Sequence, residues 1–356
     1  MTLIRLLVGT RRGLFVFEEE RPGDWRVSPP QLEGREVYFA MRDPRDGVLW
    51  AASRHRVWGA HLHTSDDDGA TWHTLDSAPA GGRGGALEAV WTLAPGAATQ
   101  PGELYAGVEP AGLFVTRDRG ASWQPVRALN EHATRDTWQP MGGGLALSDV
   151  IVHPRDPSRI TVAVSAGGVY RSDDGGGSWR ATNRGVRACF QPDEFPASGQ
   201  CVHRLLAHPL DPDRLYQQNH CGTYRSDDGG ESWVDVTRGL PSDYGYALAV
   251  DPHERDAAYV VPEASSHMRA VVDGRLRVYR TEDAGATWEP LERGLPQWNA
   301  WVTVLREGLA TDHLNPCGVY LGTGTGHLFA SRDRGDSWLL LAGFLPGILC
   351  VQPVLR

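Results

Sequence analysis

Hydrophobic positions in this chain fall in short runs, each cut off by a turn rich in Gly, Asp or Pro. Near the N-terminus, "MTLIRLLVGTRRGLFVF" alternates apolar and polar positions and predicts strand. The unit is plainest between residues 201 and 233. There "CVHRLLAHP", "RLYQQNH" and "GTYRSD" predict strands A, B and C, and a short strand D begins near Trp233. A second signal, P-x-D-P or a relative of it, marks the A–B turn in "HPRDPSR" and "HPLDPDR", with "DPRDG" and "DPHERD" as weaker forms.

The C–D turn carries a repeated motif, S/T-x-D-x-G-x-x-W. It stands at 65–72, 116–123, 172–179, 226–233, 281–288 and 331–338, and a degenerate copy, "EEERPGDW", occupies 18–25. Successive tryptophans lie 47, 51, 56, 54, 55 and 50 residues apart. A strand-rich period near that length predicts propeller blades, and seven copies predict seven blades. The first unit lacks strand A, because "LIRLLVGT" already reads as B, while "GILCVQPVLR" at the C-terminus is one strand too many. The expectation is therefore an all-β, single seven-bladed β-propeller over residues 1–356. Its C-terminal strand becomes the innermost strand of blade one and closes the ring.

The stretch "SDDGGGSW" (172–179) also resembles an acidic, Gly-rich metal loop. A catalytic or metal site has no reason to occur six times. The structural reading is that the Asp caps the turn, the Gly supplies backbone freedom and the Trp packs between sheets. The motif resembles the Asp-box (BNR) repeat of sialidases, sortilin-type receptors, xyloglucan-degrading glycosidases and a photosystem assembly factor. That resemblance covers nearly the whole chain and implies the propeller fold. It does not select a function, because those families do unrelated things.

Composition narrows the partners. A net charge of −9 with no basic run excludes a nucleic-acid backbone as the main partner. There is no 18-residue apolar run, so no membrane span is expected. Five cysteines without CxxC spacing suggest mostly reduced thiols and a cytoplasmic setting. His203 lies on strand A with His220 nearby, but two histidines make a poor metal site, and no metal or other cofactor is expected. Histidines 153, 208 and 253, in or beside A–B turns, read as surface residues.

Function is expected on the opposite face, where the less uniform B–C and D–A connections crowd the channel mouth. The B–C connections supply Arg11, Arg12, Arg54, His55, Glu109, His220 and Glu263, and the long D–A loops span 131–144 and 188–200. Aligning strand A on its terminal Pro puts Tyr38, Ala89, Ser148, His203, Tyr246 and Gly347 on one level, with Trp301 by a looser match. This set suits a small polar or carbohydrate-like ligand. Arg11, Arg12, Arg54, His55, Tyr38, Trp138, Tyr246 and Trp301 would hold it, and Glu109, Glu263, His203 and His220 would serve as acid–base groups.

A glycoside hydrolase-like activity would need two carboxylates, and Glu109 with Glu263 is the candidate pair. The sialidase reading fails because the Arg-Ile-Pro signature implied by that family is absent. The alternative is a non-catalytic assembly propeller that binds a protein through loop aromatics such as Trp58, Trp138 and Trp298.

Overall fold

The computed structural model describes residues 3–140 and 144–355, so residues 141–143 of the 131–144 loop lie outside the described residues. The fold is all-β, a seven-bladed β-propeller built from seven four-stranded sheets. Blade one takes Ile348–Leu355, Ile4–Thr10, Gly13–Arg21 and Asp24–Val27 in that order. Blade two follows with Glu36–Arg42, Leu49–His55, Gly59–Ser65 and His73–Thr74, and blade three with Ala89–Pro95, Leu104–Glu109, Gly112–Thr116 and Gln124–Pro125. Blade four holds Leu147–Val152, Ile160–Val164, Gly168–Ser172 and Arg180–Ala181. Blade five holds Val202–Ala207, Leu215–Asn219, Gly222–Ser226 and Val234–Asp235. Blade six holds Tyr244–Val250, Ala258–Glu263, Val278–Thr281 and Glu289–Leu291. Blade seven holds Leu309–Thr311, Val319–Gly322, Leu328–Ser331 and Leu339–Ala342. Among the described residues the sole α-helix is Arg127–Asn130.

Two compact units make up the chain. Unit 1 is Met1–Val37, Leu206–Arg225 and Val234–Arg356; unit 2 is Tyr38–Leu205 and Ser226–Trp233. In unit 1, Ile4–Thr10 and Tyr244–Val250 are buried at every position. Both faces of these strands are covered, so the polar positions that Arg5 and Thr10 contribute to "IRLLVGT" are buried too, where alternation alone would put them in water.

The C-terminal strand completes blade one as expected. Ile348–Leu355 pairs antiparallel with Ile4–Thr10, setting Ile4 against Leu355 and Val8 against Val351. Ile348 and Val351 then pack with Ile4, Leu6 and Val8 in one core cluster.

The repeated turn is a closed hydrogen-bond circuit. Ser172 Oγ donates to Asp174 Oδ1 (2.8 Å) and accepts the Gly176 amide (2.8 Å). Asp174 in turn accepts the Ser178 amide on Oδ1 (2.8 Å) and the Ser178 hydroxyl on Oδ2 (2.7 Å). The same four bonds recur around Asp67, Asp118, Asp228, Asp283 and Asp333. The residue after Ser178 is Trp179, so the motif is better written S/T-x-D-x-G-x-S/T-W. Gly176 has φ 93°, a left-handed conformation that favours glycine.

These bonds favour the ionised carboxylate. Asp174 is held at about 2, mainly by the Ser178 hydroxyl, and Asp67 and Asp118 likewise at about 2 by Thr71 and Ser122. The other aspartate of the stretch, Asp173, pairs with Arg171 (2.7 Å) and Arg180 (3.1 Å). Both carboxylates are therefore engaged in holding the turn. Two of the tryptophans reach the preceding blade: Trp233 Nε1 donates to Thr182 O and Trp288 Nε1 to Val236 O, both at 2.8 Å, while Trp179 Nε1 donates within its own turn to Gly176 O at 3.2 Å. Blade one lacks the circuit. There Glu19 Oε1 accepts the Gly23 amide at 3.1 Å instead.

Two of the three A–B turn histidines depart from expectation, being buried. His153 Nδ1 accepts the Asp156 amide (3.1 Å) and His208 Nδ1 the Leu210 amide (3.2 Å), so each ring caps its turn from inside. His253 is exposed, and in its turn Asp251 does the capping, accepting the His253 amide at 3.0 Å. Cys201, Cys317 and Cys350 are free and buried, while Cys189 and Cys221 are disulfide-bonded.

Candidate functional site

In unit 2, three side chains from blades two and three come together. Glu109 ends its strand, paired across from Ala89. The register of that pair slips between Val90 and Thr92, which leaves Trp91 on a β-bulge. A bulge re-aims a side chain out of the regular alternation. Here the Trp91 indole donates to Glu109 Oε2 at 2.9 Å, and the Tyr38 ring lies 5.5 Å from the Trp91 ring, tilted by 47°. All three are half-buried. Gly144 closes the other side: a Cβ there would come within 2.1 Å of Glu109 Oε1, and its φ of 85° suits glycine alone.

The rest of the expected set in unit 2 lies apart from this group in the hydrogen bonds and ring contacts it makes. Trp138 is a correction: it is 3 % exposed, donates from Nε1 to the Tyr170 hydroxyl (2.7 Å) and carries the Arg135 guanidinium 4.6 Å above its ring. It is core, not a loop anchor or ligand wall. His203 is buried with Nε2 3.5 Å from Cys201 Sγ. His55 Nδ1 accepts the amides of Val57 (3.1 Å) and Trp58 (3.2 Å), closing a turn. Arg54 is half-buried near the end of its strand. Next to His203, Arg204 donates to Asp149 Oδ1, and Ser148 Oγ donates to Asp149 Oδ2 at 2.9 Å. That buried ion pair was not anticipated.

In unit 1, Glu263 ends its strand fully buried. Its Oε1 accepts the Thr303 hydroxyl (2.6 Å) and the Val304 amide (3.0 Å), while Oε2 has no hydrogen-bond partner among the described residues. Burial pushes its carboxyl up to about 7, against the two donors and Arg269, which pull it down. Across the strand pair lies Tyr244, whose hydroxyl donates to that of Tyr246. The His220 ring meets Tyr244 edge-on at 5.1 Å, and burial lowers its pKa. The Arg306 guanidinium lies 5.4 Å over the Tyr246 ring.

Arg11 and Arg12 are exposed, and Arg11 pairs with Glu36 at 3.4 Å. Trp301 is exposed and lies before the first strand of blade seven instead of on it, because that strand starts only at Leu309. Glu109 and Glu263 thus differ sharply. The first is half-exposed and held by an indole; the second is buried and spends one oxygen on its own chain.

No protein-family model matches the chain. Curated relatives include an oligoxyloglucan-reducing end-specific xyloglucanase of Emericella nidulans, 29 % identical over 226 residues, covering 56 % of this chain and 27 % of the relative. Xyloglucanase Xgh74A of Acetivibrio thermocellus is 25 % identical over 268 residues, covering 68 % and 30 % respectively. The chain thus spans less than a third of the length of these two relatives. Among solved structures, an ancestral GH74 enzyme aligns over 86 % of this chain and 38 % of its own (TM-score 0.61, 17 % identity). YCF48 bound to D1 peptide aligns over 87 % and 83 % (TM-score 0.56, 16 % identity). A putative 6-phosphogluconolactonase from Bacteroides uniformis aligns over 99 % of each chain (TM-score 0.59, 12 % identity). These likenesses share the fold.

Proposed function

We propose that the chain is an Asp-box propeller that binds a carbohydrate in a glycoside hydrolase-like manner, with Tyr38, Trp91 and Glu109 as the contact group. The observation that carries this is the bulge-presented Trp91 clamping a half-exposed carboxylate beside a second aromatic ring. Aromatic faces cover the C–H face of a sugar, and a carboxylate with a fixed orientation accepts its hydroxyls. The xyloglucanase relatives point to a β-glucan such as xyloglucan as the sugar.

Hydrolysis needs two carboxylates flanking one bond. Glu109 supplies one. Asp149 is neutralised by Arg204, and Glu263 is buried, so binding is the better supported part of the reading. Thermal shift with xyloglucan oligosaccharides tests it: wild type is stabilised, and Trp91→Ala and Glu109→Gln lose most of the shift. Reducing-end release over the same panel decides whether bond cleavage follows. A wild type that no oligosaccharide stabilises would end this reading.

A second reading, a protein partner, is favoured by one observation. Leu339, Leu340 and Phe344, on or beside the last strand of blade seven, are all exposed. An apolar edge of this kind is a docking surface for another chain. Pull-down with wild type and a Leu340→Lys/Phe344→Ser variant separates it from the first.

A further inference from the structure

Trp301 is 53 % exposed, yet it is not loosely placed. A Cβ on Gly274 would stand 3.0, 3.1 and 3.3 Å from its Cε2, Cζ2 and Cδ2. Three ring atoms at nearly one distance mean that the Gly274 backbone backs the face of the indole. Gly274 has φ 62°, a conformation glycine tolerates, so both the turn and the backing need it.

The residues on either side of Trp301 are pinned. The Ala300 amide donates to Gly274 O and the Val271 amide to Val302 O, both at 2.9 Å. The next two residues, Thr303 and Val304, donate to the buried Glu263 carboxyl. Five consecutive residues outside any strand are thus held by four hydrogen bonds, with a large aromatic ring left half in water.

The buried half of the ring packs on Gly274, while the exposed half is held in one orientation toward water. A preorganised ring has little conformational entropy left to lose on binding, which favours a ligand. Its exposed chain neighbours are Trp298 and Asn299, and Asp273 and Arg275, which flank Gly274, are exposed as well. An exposed ring with amide and charged groups around it matches a pyranose, whose C–H face stacks while its hydroxyls meet polar atoms. A protein hot spot instead wants an enclosed, desolvated pocket.

We propose that Trp301, backed by Gly274, is the floor of a saccharide site in unit 1 that takes the flat face of a neutral pyranose. The ligand class rests on the carbohydrate reading above; the mounting of the ring does not.

Affinity electrophoresis of the full chain through native gels containing xyloglucan tests it, using wild type, Trp301→Ala, Trp301→Phe and Trp91→Ala. Trp301→Ala should bind about tenfold more weakly while still melting in one cooperative transition, which confirms that the variant is folded. Trp301→Phe should recover most of the loss. If wild type is retarded and Trp301→Ala is retarded equally, the site is refuted while the carbohydrate reading stands. If only Trp301→Ala loses retardation, the site stands and the Tyr38–Trp91–Glu109 location falls. If wild type itself is not retarded, both fall.

Discussion

Removal of residues 347–356 should abolish the native state. The deleted strand carries Ile348, Leu349, Val351 and Val354, whose exposures are 0, 6, 2 and 6 %. Returning each to water costs about 1.5–3 kcal/mol, roughly 6–12 kcal/mol in all. The net stability of a folded domain is about 5–15 kcal/mol, so the loss is of the same size as the whole. It also strips the ladder partner from Ile4–Thr10. Far- and near-ultraviolet circular dichroism during thermal melting, with size-exclusion chromatography, reads the outcome: the truncated chain should lack a cooperative transition or elute as oligomers. A synthetic peptide of residues 347–356 added in trans should restore the transition. A truncated monomer melting within about 2 °C of the full chain, a shift equivalent to under about 1.5 kcal/mol, would refute the reasoning.

Three further outcomes follow from groups already described. Glu263 has a folded pKa raised from 4.5 to about 7, so the stability it lends is complete below 4.5 and is lost as pH rises through 7. Urea melts between about pH 4 and 8 should show roughly 3 kcal/mol of decline from this group, which Glu263→Gln removes. Asp118, held at about 2 against 3.8, works in the opposite sense: its contribution is present above 3.8 and lost as pH falls through 2, so Asp118→Asn should flatten the acid limb of the melting curve. Gly144→Ala, which forces a Cβ to 2.1 Å from Glu109 Oε1, should weaken oligosaccharide binding in titration calorimetry by moving the carboxylate.

The repeat, its blade count and the closure by "GILCVQPVLR" were legible in the chain because each rests on spacing, which folding conserves. The turn roles of Asp174 and Gly176 were legible for the same reason. The hydroxyl of Ser178 escaped notice although S or T fills that position in all six full copies. Its role appears only once Asp174 Oδ2 is seen to need a donor.

Trp91 was missed for a different reason. Alignment of strand A on its terminal proline picks Ala89, and a bulge invisible to periodicity turns the next-but-one residue toward Glu109. Trp138 was misplaced because loop sequence does not reveal that Tyr170 and Arg135 enclose it. The pairing state of Cys189 and Cys221 was equally hidden, since spacing alone does not determine which thiols meet.

The six turn circuits also bear on the order of folding. Each joins residues no more than six positions apart, from Ser172 to Ser178 in the fourth blade. Contacts that short close without waiting for distant chain, on the timescale of a hairpin, about microseconds. The pairing of Ile4–Thr10 with Ile348–Leu355 lies at the other extreme, bringing together residues more than three hundred apart in sequence. Local turns should therefore give six of the seven C–D hairpins their register early, and the slow step expected of the chain is the meeting of its two ends.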